Sequence, residues 1–165
     1  MHDKKRKHTY RQEVRPADRE AVDRHVRSTG FFSEDEHLIA VELVDERLAK
    51  GEASGYFFLF AEEDDRLLGY TCFGPIAGSL HSYDLYWIAV DPKTQGRGIG
   101  KQLMAESERL MAERGARRVY ADTSSRPQYA ATRAFYLACG YVQEAILVDF
   151  YAPGDGKVIF VKILE

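Results

Sequence analysis

Apolar and polar positions change their spacing several times along the chain, and each change marks an element. Thr9–Val14 reads as a first strand, and Pro16 suits the first turn of a helix running to about Ser28 and stopped by Gly30. Ser33 with Glu36 forms a capping box, after which Leu38, Val41, Leu43, Val44 and Leu48 give a second helix its apolar face as far as Gly51. Tyr56–Glu62 and Arg66–Phe73 are apolar, aromatic runs separated by an acidic turn, which predicts a hairpin ended by Gly74 and Pro75. Ser82–Val90 predicts a further strand. Ile99 to about Arg114 predicts a helix with Ile99, Leu103, Met104, Leu110 and Met111 on one broad face. Arg118–Asp122 is a short strand, Tyr129–Cys139 a helix closed by Gly140, and Tyr141–Phe150 with Lys157–Leu164 a last strand pair.

This order, β-α-α-β-β-β-α-β-α-β-β, pairs strands in parallel across the strand–helix–strand units of the second half and antiparallel in the hairpins. The fold class is therefore α/β in the mixed α+β sense: about seven strands in one twisted sheet, flanked by about four helices. A chain of 165 residues is long enough for one domain with a sizeable core. We expect that domain to span residues 9–165, after a basic, disordered tail at residues 1–8.

Composition narrows the class. Apolar residues make up 45% and charged residues 30%, the balance of an ordinary globular protein. The longest apolar runs, such as Tyr56–Ala61, fall far short of the ~18 residues of a membrane span, so no membrane partner is expected. The basic N-terminus lacks an apolar stretch after it and does not read as a secretory signal. Cys72 and Cys139 suit buried reduced thiols, which places the chain in the cytoplasm. Net charge is −3, yet Lys4, Lys5, Arg6, Lys7 and Arg11 crowd the first residues, leaving an acidic body that favours a cationic partner. No basic helix continues the tail, so nucleic acid is not expected. The five histidines lack ligand spacing with the cysteines, so no metal site is expected.

Gly96, Gly98 and Gly100 stand at alternate positions between a predicted strand and a predicted helix. Such a loop offers unpaired N–H groups at the positive end of a helix dipole, an anion site most often used for phosphate. The common phosphate templates fail by count. A G-x-x-x-x-G-K-[ST] loop ending at Lys101 would begin at Gln95 and end at Gln102, and G-x-G-x-x-G started at Gly96 or Gly98 ends on Lys101 or Leu103. The pattern Q/R-x-x-G-x-G/A fits at Gln95, Gly98 and Gly100.

On these residues the chain resembles the GCN5-related N-acetyltransferase (GNAT) superfamily, whose loop cradles the pyrophosphate of acetyl-coenzyme A. Thr132–Ala145 is similar to the superfamily's second motif, a helix carrying Phe135-Tyr136 and ending in Gly140-Tyr141. The resemblance covers nearly the whole chain and implies an acetyl-CoA-dependent N-acetyltransferase acting on a primary amine by direct transfer in a ternary complex. It places the cofactor on the backbone of Ile88, Ala89 and Val90 and on the loop of Gln95, Gly96, Arg97, Gly98, Ile99, Gly100 and Lys101. The superfamily often has an asparagine seven residues before the motif tyrosine, where this chain has Tyr129.

Acetyl transfer from a thioester requires a neutral amine, a stabilised oxyanion and a proton for the leaving thiolate. By resemblance the Ile88 N–H faces the acetyl oxygen, and Tyr136 is the general acid, its phenol near a thiol in acidity. Asp84, six residues before Val90, is the base candidate by the position the superfamily's histone-modifying branch gives a glutamate. Being shorter, it would work through a water. His81 is an alternative base. Alternation puts Asp84, Tyr86, Ile88 and Val90 on one strand face.

By the same resemblance the acceptor is walled by Gly30, Phe31 and Phe32 and by Tyr151–Lys157. Tyr83 and Tyr86 add aromatic surface, and Glu34 or Asp35 could attract an amine. The acceptor, small molecule or peptide, is not named by these residues, and homodimerisation is left open. The competing reading is a non-catalytic acyl-CoA binding or sensing module.

Overall fold

The computed structural model describes residues 7–165 of the chain. Most of the predicted N-terminal tail therefore lies outside the described residues. Seven strands, four α-helices and three short 3-10 turns follow in the predicted order. They are β1 (Thr9–Arg11), α1 (Asp18–Ser28), α2 (Glu34–Lys50), β2 (Phe57–Glu63), β3 (Arg66–Pro75), β4 (Ser82–Val90), α3 (Ile99–Glu113), β5 (Arg118–Ser124), α4 (Ala130–Ala138), β6 (Val142–Ala152) and β7 (Asp155–Ile163). Strand order in the sheet is β1-β2-β3-β4-β5-β7-β6, with β4 and β5 parallel and the β1–β2, β2–β3, β5–β7 and β6–β7 pairs antiparallel. The mixed α/β fold read from the sequence is the observed one.

The chain packs as two compact units, one running up to Gly74 and resuming over Tyr86–Ser107, the other made of Pro75–Leu85 and Glu108–Glu165. β4 and α3 each pass through both. The core of the first unit gathers Val22 and Val26 of α1, Ala40 and Val44 of α2, and Phe58, Phe60, Tyr70, Cys72 and Ala89 from the strands. In this unit α2 starts on the predicted capping box. Glu36 N–H donates to Ser33 Oγ at 3.3 Å, and Ser33 N–H to the Glu36 carboxylate at 2.6 Å. Asp64 and Asp65 both take left-handed φ, 50° and 59°, as a two-residue hairpin between β2 and β3 requires.

Several strand boundaries differ from expectation: β1 ends at Arg11 rather than Val14, β6 runs on to Ala152, β7 starts at Asp155, and β3 and β5 are longer than expected. β3 runs on through Gly74 and Pro75, because the Gly55 backbone lies so close that a Cβ at Gly74 would overlap the Gly55 carbonyl oxygen. Glycine here permits close approach rather than a turn. In the second unit β5 continues past Asp122 to Ser124, because Thr123 and Ser124 pair with Val158 and Lys157 of β7 and both side chains are buried.

Candidate active site

The end of β4 and the loop after it form one candidate region. Gly69 on β3 has no side chain to hold β4 away: a Cβ there would meet Ala89 O and a Leu103 methyl, each at 2.9 Å. The buried His25 donates from Nε2 to the same Ala89 carbonyl at 3.2 Å. Burial, the main influence, lowers its pKa and keeps it neutral. Tyr83, Leu85 and Ala89 are buried on one face of β4, which leaves Asp84, Tyr86, Ile88 and Val90 on the other. The parallel ladder to β5 covers Ser82–Asp84 against Arg118–Tyr120. β4 then continues to Val90.

Beyond Val90, Asp91 N–H is held by Leu68 O at 2.8 Å, and Asp91 Oδ1 accepts from Lys93 N–H at 2.9 Å, starting a 3-10 turn over Pro92–Thr94. Gln95 and Arg97 spend their amides on Pro92 O and Thr94 O, at 3.2 and 3.1 Å. Gly96 and Gly98 take left-handed φ of 84° and 75°, where a side chain would be strained. Gly98 O accepts from Gln102 N–H at 3.1 Å and so caps α3. The N–H groups of the first helical turn, Ile99, Gly100 and Lys101, point along the axis at the positive end of the dipole, without acceptors inside the helix. The loop's donors therefore gather at Gly98–Lys101. Arg97 is tied back to Glu63 of β2, its guanidinium nitrogens 2.8 and 3.3 Å from the carboxylate.

Tyr136 sits on α4 with its ring 5.5 Å from Phe160 and 5.9 Å from Tyr141, centroid to centroid. It is 6% exposed. Burial above all, and then the Asp122 carboxylate, raise its pKa well above that of a free phenol. The phenol holds its proton more firmly than the match to a thiol assumed from the sequence. Tyr129 ends the 3-10 turn preceding α4 and is half-buried.

Asp84 is half-buried, and desolvation first, then Asp122, push its pKa up, while Lys157 pulls it down. The Asp122 carboxylate pairs with Lys157 Nζ at 3.2 Å and accepts from Tyr151 Oη at 3.4 Å. Burial and Asp122 together push the Tyr151 phenol up to about 12. Asp84, Asp122, Lys157 and Tyr151 thus form one cluster. In the sequence Asp122 marks only the end of a predicted strand. Its one sequence signal is a carboxylate breaking a run in which Val119 and Ala121 are core.

The remaining predicted residues are scattered by comparison. Tyr83 is buried on the face of β4 away from Tyr86, so the two do not form one wall. Tyr86 is exposed and meets Tyr56 edge-on at 5.3 Å. Phe32 packs on Trp87 at 4.8 Å, with Phe31 edge-on to it at 5.2 Å. Glu34 is engaged by Arg27 at 2.7 Å, and His81 Nδ1 lies 3.0 Å from Gly115 O. Among the described residues no cluster of His, Cys, Asp or Glu could hold a metal ion, and no helix is long and apolar enough to cross a membrane.

The glycine loop after β4, with the open start of α3, offers N–H groups that suit an anion. The family model described as "Acetyltransferase (GNAT) family" matches residues 17–141, and the chain belongs to that family. The crystal structure of a Desulfovibrio desulfuricans protein assigned to the GNAT family superposes with a TM-score of 0.93 at 45% identity, covering 95% of this chain and 99% of that one. An aminoglycoside 6'-N-acetyltransferase solved with coenzyme A shares the fold at a TM-score of 0.75 and 18% identity, over 94% of this chain and 96% of that one. A mycothiol acetyltransferase from Rhodococcus erythropolis (strain PR4 / NBRC 100887) is 33% identical over 78 residues, 44% of this chain. The matched segment spans about a quarter, 26%, of that relative's length.

Proposed function

We propose that this chain transfers an acetyl group from acetyl-coenzyme A directly to a primary amine. The observation that carries the proposal is the open first turn of α3, capped by Gly98 and reached through the left-handed Gly96. Its donors fit a pyrophosphate. When bound, acetyl-coenzyme A supplies an activated acyl group and a thiolate leaving group.

The chain's own groups take the other roles. Gly98, Ile99, Gly100 and Lys101 hold the pyrophosphate through their N–H groups, the Lys101 ammonium adding charge. Gln95, Gly96 and Arg97 shape the loop, and Arg97 is anchored on Glu63. Val90 and Ala89 present backbone to the pantetheine arm, and Tyr129 is proposed as a further contact of the cofactor. The Ile88 N–H stabilises negative charge on the acetyl oxygen. Asp84, through a water, takes the proton the amine nitrogen loses, and the Tyr136 hydroxyl gives a proton to the departing sulfur.

The acceptor is held by Tyr86 and Tyr151 and attracted by Asp84 and Asp122, which favours an amine cationic in solution. Phe31 and Phe32 are proposed to line its approach. The low cysteine content, Cys72 and Cys139 alone in 165 residues, supports a cytoplasmic setting. Residues 9–165 are proposed as one folding unit, since β4 and α3 contribute to both compact units.

We further propose a homodimer through β6. This strand pairs with β7 on one side only, and Ile146, Val148 and Phe150 are 49, 79 and 53% exposed along it. Such an edge invites another strand, and a second copy offers the same apolar, sparsely charged face.

Release of coenzyme A thiol is the test, measured with an aminoglycoside, spermidine, amino sugars and an alanine-terminated peptide as acceptors. Amine-dependent release supports transfer. Tight acetyl-CoA binding without release on any amine would favour the non-catalytic module instead.

A further inference from the structure

α4 is a nine-residue helix and carries no basic residue in its last turn to meet its terminal carbonyls. Helices this short draw little stability from themselves and depend on what holds their ends. The holding group comes from another element. Lys162, next to last in β7, sends Nζ to the carbonyl of Cys139, the cap of α4, at 2.8 Å. The same Nζ lies 2.9 Å from Glu108 Oε1. Glu108, on α3, is 7% exposed, and its second oxygen has no hydrogen-bond partner. That carboxylate is therefore committed to Lys162, although burial raises its pKa against the pull of the ammonium.

The backbone held in this way is the backbone of Tyr136. Its carbonyl accepts from Cys139 N–H and from Tyr141 N–H, each at 3.1 Å. Gly140, at φ 89°, turns the chain between those two donors. On the side-chain level β7 acts again. Phe160, two residues before Lys162 and on the same strand face, packs against the Tyr136 ring, and Tyr141 lies between that ring and the Lys162 ammonium, 5.8 Å from its centroid. Ring and main chain of Tyr136 are both referenced to one strand.

We infer that Lys162, oriented by Glu108, is a positioning residue for Tyr136, acting through the carbonyl that ends α4. This rests on the reading of Tyr136 as the residue that meets the thiolate. An ion pair with one partner buried and the other partly exposed is seldom the most stable filling for such a site, since apolar residues of equal volume often match or exceed it. Its specific contribution is directional: the ammonium takes one oxygen at one place, which an apolar contact does not do.

The test uses the full chain labelled with 3-fluorotyrosine and followed by fluorine NMR and thermal melting. Loss of one line in Tyr136→Phe identifies the Tyr136 resonance among the ten tyrosines. Lys162→Met is expected to move or split that line. Lys162→Arg, which can still donate to the carbonyl, is expected to restore it. The double variant Lys162→Met with Glu108→Met removes the unpaired buried charge, so it is expected to recover melting temperature while the Tyr136 line stays displaced. An unmoved line in Lys162→Met overturns the inference, as does a line restored by the double variant, which would reduce the pair to charge compensation. If the single variant does not fold, the double variant decides by the same line. Failure of the acid role would show separately, as full turnover by Tyr136→Phe with the NMR result intact.

Discussion

Asp84 and Tyr136 share one electrostatic neighbour, the carboxylate of Asp122, which adds to burial in raising the pKa of both. They reach it from opposite faces of the sheet. Asp84 is in register with Tyr120, which shares a face with Asp122, whereas Tyr136 packs on Phe160, whose partner Ala121 faces the other way. The candidate base and the candidate acid thus lie on opposite faces of the sheet.

Asp122→Asn removes a like charge, so the Asp84 pKa is expected to fall. Lys157→Met removes the cation that lowers it and is expected to raise it. A carbon-13 titration of the Asp84 carboxyl reads both shifts, and the acid limb of the turnover profile should follow them. Shifts of the same sign in the two variants would break the cluster assignment.

The raised pKa of Asp84 also has a stability consequence. A carboxyl whose folded pKa lies above its unfolded value contributes stability below the unfolded value, near 3.8, and loses it as pH rises through the folded value. Asp84→Asn should therefore melt higher than the wild type at pH 7, with the gap narrowing towards pH 3. An equal or lower melting temperature at pH 7 would mean that Asp84 is better solvated than its burial indicates.

Tyr136→Phe is expected to slow turnover by ~10²-fold while changing acetyl-CoA affinity by less than about twofold. Because burial raises the phenol's pKa, no alkaline limb from Tyr136 is expected below about pH 10. Unchanged turnover at every pH would remove the acid role.

Val148 is 79% exposed on β6, so Val148→Glu should leave the fold intact. Sedimentation equilibrium is expected to show a dimer for the wild type and a monomer for the variant. A monomeric wild type would exclude the β6 dimer.

What could be read in the sequence was local. The capping box at Ser33 and Glu36, the bounds of β4 and the glycine loop each depend on residues within a few positions of one another, and each is found as expected. Asp122 was not legible, because the β4–β5 register brings it to Asp84 across a long sequence separation. The Lys162 contact to Cys139 depends likewise on the packing of β7 beneath α4. Gly74 misled for a related reason: it reads as a turn until the distant Gly55 carbonyl is seen against it.

The most direct test of the proposed function is calorimetric titration with acetyl-coenzyme A of the wild type and of Gly100→Asp. Gly100 lies in the first turn of α3 outside the left-handed region, and an acidic residue there suits the helix dipole, so the variant should fold. Its carboxylate would occupy the place of the pyrophosphate. Micromolar binding by the wild type, and none by the folded variant, is the expected result; no binding by the wild type, or equal binding by both, would contradict the assignment of the loop to coenzyme A.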